Sequence, residues 1–108
     1  MAGSISETDW KYLRNIKNEL IASLCRRINE KTVKILSSKG TTDHEKYLKA
    51  YRHINDSDDI VAECFNDWRR STICVRLMSI HRHKLLTEKH LGSLSEKTRE
   101  FIKWSETP

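Results

Sequence analysis

The chain has 108 residues, 37% apolar and 32% charged, with three Gly, one Pro and a formal charge of +5. So few turn-forming residues exclude an all-β fold, and a mean hydropathy of −0.68 without any apolar run near ~20 residues excludes a membrane span. On surface-to-volume scaling such a chain buries about two-thirds of its unfolded surface, which suits one helical domain over residues 1–108.

The first helix is expected over about 7–38. Ser6 is placed to cap it, with Asp9 at the third position. Trp10, Leu13, Ile16, Leu20, Ile21, Leu24, Ile28 and Ile35 recur at three and four, and at 100° per residue they fill one core-facing arc. Gly40 suits the left-handed stop that follows. Lys17 and Lys31 fall inside the same arc, where a long stem packs and the ammonium reaches water.

Thr42 and Glu45 form a capping box that opens a shorter helix over about 43–54, with Tyr47, Leu48, Tyr51 and Ile54 on one face. The cluster Asn55-Asp56-Ser57-Asp58-Asp59 predicts a break and a new cap. A second long helix is then expected over about 58–84. Its main face is Ile60, Val61, Cys64, Phe65, Trp68, Thr72, Val75 and Met78, and a second apolar stripe, Ile73, Leu77 and Ile80, lies on the other side. Short helices over about 87–91 and 95–105 complete an all-α antiparallel bundle of two long and three short helices.

The three cysteines, Cys25, Cys64 and Cys74, show no CxxC spacing and read as free, buried thiols of a reducing, cytoplasmic compartment. No basic-then-apolar leader precedes the first helix. The mildly basic balance excludes a DNA mimic or an inhibitor of basic nucleases. No phosphate-cradling loop, dinucleotide fingerprint, nucleophile elbow or pair of catalytic carboxylates is present. His81 and His83 point about 200° apart on a helix and His90 lies beyond it, so neither a metal nor another cofactor is expected.

Arg76-Leu77-Met78-Ser79-Ile80-His81 fits Arg-x4-His and resembles the motif of HEPN-type ribonucleases, helical bundles whose dimers set paired Arg and His at an RNA phosphate. The resemblance covers six residues, with Leu77 where those families usually carry a polar residue. It implies that Arg76 stabilises phosphate charge and that His81 assists proton transfer. Arg69, Arg70, Arg76, Arg82, His83 and Lys84 offer a wider basic face for a phosphate backbone, and Arg26, Arg27, Lys31 and Lys34 form a second basic group.

A helix apolar on two sides is either central or buries one side against a partner. The leading expectation is therefore a module that binds another protein or a second copy of itself rather than a catalyst. Its expected contact region is Ile73, Leu77 and Ile80 with Arg69 and Arg76. Nucleic-acid binding through the 69–84 face is the alternative, with ribonuclease activity by Arg76 and His81 as its sharper form.

Overall fold

The computed structural model describes residues 5–106. Five helices follow in order: α1 Glu7–Ser37, α2 Asp43–Phe65, α3 Ile73–Arg82, α4 Glu88–Gly92 and α5 Glu96–Ser105. The fold is all-α, with two long helices, α1 and α2, packed as an antiparallel hairpin. Ile28 O meets His53 Nε2 at 3.0 Å near its middle, and Arg70 reaches Glu7 at 2.7 Å near its base. Among the described residues no helix is long and apolar enough to cross a membrane.

The helix starts follow from capping chemistry. Ser6 Oγ accepts the Asp9 N–H at 3.1 Å, and Thr42 and Glu45 close a reciprocal box. Gly40, at φ +79, makes the turn between the two long helices.

The second long helix is not where the acidic cluster placed it. Residues 55–59 continue α2 without a break. Asn55, Asp56, Asp58 and Asp59 all face solvent, so they cost the helix only a few tenths of a kcal/mol each in propensity. Meanwhile Ala50, Ser57, Val61 and Cys64 keep one face in phase through the cluster. The chain breaks at 66–72 instead. Asp67 turns left-handed at φ +57, Thr72 Oγ1 donates to its carbonyl, and Arg69 Nε donates to its carboxylate. The expected helix over 58–84 is thus divided between the end of α2 and the short α3. Lys84, at φ +56, takes the left-handed position after α3, and Leu85 N–H bonds back to Ile80 O at 3.1 Å.

The core lies at one end of the molecule. Leu13, Ile16, Leu20 and Leu24 of α1 meet Cys64 and Phe65 of α2, Ile73, Leu77 and Ile80 of α3, and Leu85, Leu94 and Ile102. Two polar ties lock the small helices onto α1. Asp9 accepts from Ser95 and Thr98 at the start of α5, and His90 of α4 reaches Glu19 at 2.6 Å. Thr87 N–H donates to His90 Nδ1, which leaves Nε2 as the donor to Glu19.

From Cys25 to Lys49 no residue is buried. The far halves of α1 and α2 therefore stand out from the core as a two-helix arm, and the molecule is 52 Å long but only 26 × 21 Å across.

Candidate partner-docking site

The apolar part of the contact region expected on the third helix lies inside the protein, while Arg69 stays at the surface. Ile73, Leu77 and Ile80 are each 0% exposed, held between α2 and α5. The reason is the break at 66–72, which resets the helical phase. The face that continues from Ile60 and Val61 in the sequence emerges after the break on the outside, leaving Val75 exposed, while the other stripe turns inward. Of the two apolar sides, one is therefore core and the other, at Val75, stands at the surface.

The basic face over 69–84 is largely committed within the chain. Arg69 pairs with Asp67, Arg70 with Glu7 and the Ile5 carbonyl, Arg82 and His83 with Glu63, and Arg76 donates to the Glu63 carbonyl at 2.6 Å. Of the six residues, Lys84 alone makes no side-chain hydrogen bond or ion pair among the described residues. Arg76 and His81 turn to different neighbours, Arg76 to α2 and His81 to Glu106 just after α5, so one protomer does not bring them to a common point.

The histidines disperse in the same way, each to its own carboxylate: His81 to Glu106, His83 to Glu63 and His90 to Glu19. Glu63, Cys64 and His83 do bring one ligand atom each within 4.8 Å of one another and are the residues that could hold a metal ion. Their chemistry is otherwise engaged. Hydrogen bonds from Arg82 and His83 hold the Glu63 carboxyl below its ordinary range. Burial, helped by the Glu63 charge, pushes the Cys64 thiol up to about 11, so at neutral pH it is a protonated core thiol.

What the structure leaves unspent is the arm. Seven large apolar side chains are exposed among the described residues, and five of them, Val33, Leu36, Tyr47, Tyr51 and Ile54, belong to it. Tyr47, Tyr51 and Ile54 follow i, i+4, i+7 along α2. With Leu36, Ala50, Asp43 and Lys46 they line an open groove of about 480 Å³ between the two helices. His44 stacks beside Tyr47, with ring centroids 6.4 Å apart, and extends the same stripe.

The opposite side of the arm is basic. Arg27, Lys31, Lys34 and Lys49 line a groove of about 630 Å³ with one acid, Glu30. Arg27 is tied to the His83 and Lys84 carbonyls at 2.6 Å, where it caps the end of α3. Lys31 lies on this exposed face. Lys17, the other lysine of the apolar arc, sets its ammonium 5.6 Å from the centre of the Trp68 ring.

The sequence carried the arm's apolar stripe in Tyr47, Tyr51 and Ile54, but a stripe alone does not reveal whether a neighbour covers it. Comparison with known proteins adds no assignment: no protein-family model, curated protein or solved structure matches this chain.

Proposed function

We propose that this protein is a binding module whose α1–α2 arm docks another protein through its apolar side. The observation that carries the reading is the confinement of five of the seven exposed large apolar side chains to one projecting hairpin. Monomeric proteins scatter such residues singly, whereas a contiguous patch with aromatic anchors and a charged rim is the anatomy of an interface. The core end is in contrast closed by its own ion pairs and caps.

Photo-crosslinking tests this reading. With Tyr47 replaced by p-benzoylphenylalanine in the full chain, discrete crosslinked species should form in cells. They should vanish when Tyr51→Glu and Ile54→Glu are added. The same reporter at the exposed Glu100 on α5 should yield none. Equal crosslinking at both positions, or none at Tyr47, would overturn the reading.

The nucleic-acid alternative finds support on the basic side of the arm, where Lys31, Lys34 and Lys49 make no ion pair among the described residues. Counterion release sets its signature: affinity for a single-stranded oligonucleotide should fall with salt at a log–log slope of about −0.7 per phosphate neutralised. Lys31→Ala/Lys34→Ala should flatten that slope by roughly one to two units. Binding that ignores both salt and these lysines would remove this alternative.

A further inference from the structure

We infer that the basic groove of the arm binds a compact polyphosphate, an anion whose phosphate groups lie close together and carry no base stacked on the protein. The groove is on the side of the arm away from Tyr47, Tyr51 and Ile54, so this site and the protein-docking side stand or fall separately.

The groove gathers cations from both long helices. Arg27, Lys31 and Lys34 recur at i, i+4 and i+7 on α1, within a wedge of about 60° and over about 10 Å of helix. Lys49 closes the groove from α2, and Glu30 is the one acid against these four cations. Positive charge converging from two walls on one space of about 630 Å³ is the complement of a small polyanion.

Nothing within the chain neutralises that charge. Lys31, Lys34 and Lys49 make no side-chain hydrogen bond or ion pair among the described residues. Glu30 stands four residues before Lys34, the favourable order for a helical ion pair, yet the two do not pair. Arg27 donates at 2.6 Å to the His83 and Lys84 carbonyls. Those bonds fix the guanidinium at the groove but leave its charge uncancelled, because a carbonyl carries no net charge. The stability of α1 does not account for the arrangement either. Arg27 with Lys31, and Lys31 with Lys34, set like charges at destabilising spacings. Only Lys34 falls in the last turn, where the helix dipole favours a base.

The rest of the lining narrows the ligand. Beside the charged residues stand Ile35 and Ser38, and no aromatic ring lines the groove. Tyr47 and Tyr51 line the other groove, with His44 stacked beside Tyr47. Single-stranded nucleic acid is held by aromatic platforms as well as by a positive track. A groove with the charge and without the platform favours clustered phosphates over a strand.

Calorimetric titration of the full chain with inorganic tripolyphosphate, at constant ionic strength, tests the inference. Saturable binding of one ligand per protomer is expected. Lys34→Ala on α1 and Lys49→Ala on α2 should each weaken it by roughly threefold or more, and the double variant by roughly tenfold. Both side chains are exposed, so circular dichroism should show unchanged helix content. Lys97→Ala/Lys103→Ala removes the same charge from exposed positions of α5 and should change the affinity by less than about twofold.

Absence of saturable binding, a silent Lys49→Ala, or an equal loss from the α5 pair overturns the inference. So does a single-stranded oligonucleotide that outcompetes tripolyphosphate at equal phosphate concentration, which would give the groove to nucleic acid instead. ATP binding roughly tenfold more tightly than tripolyphosphate would reveal a base contact and overturn it as well. Crosslinking from Tyr47 tests the other side of the arm and is independent of every one of these outcomes.

Discussion

Leu77→Ala should destabilise the fold by about 3 kcal/mol, in the usual range for truncating a fully buried leucine. For a domain of this size that lowers the melting temperature by roughly 12–20 °C. Leu77 is 0% exposed in the middle of α3, with Ile73 and Ile80 beside it in the same core cluster. Removing three carbons there loses their transfer energy and leaves a cavity, because α3 is held from both sides by α2 and α5. Tyr51→Ala, on the solvent-facing arm, should change protomer stability by no more than about 0.5 kcal/mol. Chemical denaturation of the two variants checks this. A silent Leu77→Ala would return the 73–80 stripe to the surface; a costly Tyr51→Ala would place the arm's stripe in the core.

The contrast between those two residues marks what the sequence carried and what it did not. Helix starts were legible wherever a side chain satisfies orphan N–H groups, so Ser6, Thr42 with Glu45, and Ser95 sit where capping chemistry puts them. The first helix, expected over about 7–38, is Glu7–Ser37. The second was misplaced because two segments offered similar breaking chemistry. Asn55-Asp56-Ser57-Asp58-Asp59 and Asn66-Asp67 with Ser71-Thr72 both contain residues that compete with the helix backbone. What separates them is tertiary: Ser57 and Cys64 carry a buried face through the first segment, whereas Arg70 within the second reaches back to Glu7 and the Ile5 carbonyl.

That displacement also moved the candidate site. Once the phase of α3 is reset, Ile73, Leu77 and Ile80 turn inward as ordinary core packing, and Val75 on the other side is left exposed. The arm shows the complementary limit. Periodicity establishes that Tyr47, Tyr51 and Ile54 share a face, but burial depends on whether any element remains to cover it. Here α3, α4 and α5 are spent on the other end of the hairpin, through Asp9, Glu19 and the Glu63 cluster.

Asp9→Ala should cost about 3 kcal/mol, from hydrogen bonds to a charged, buried acceptor and the donors left without it. Asp9 is 2% exposed. Its Oδ1 accepts the Ser95 N–H at 3.0 Å, and its Oδ2 accepts the Ser95 and Thr98 hydroxyls at 2.6 and 2.5 Å. One carboxylate thus joins the first turns of α1 and α5, whose N-terminal dipoles both favour negative charge. Burial alone would raise its pKa from the ordinary 3.8. The hydrogen bonds from the Ser95 and Thr98 side chains, the Ser95 N–H and Ser6 together outweigh that and leave it lowered. A carboxyl depressed in the folded state contributes stability that is complete above its unfolded value, near 3.8, and is lost as pH falls through the lower folded value. Thermal melts across acid pH should therefore show a loss of stability in wild type that is shallower in Asp9→Asn. Glu63 and Asp67, also lowered by their partners, supply the slope that remains. Parallel wild-type and Asp9→Asn profiles would mean that the ionised carboxylate is not what holds α5 against α1.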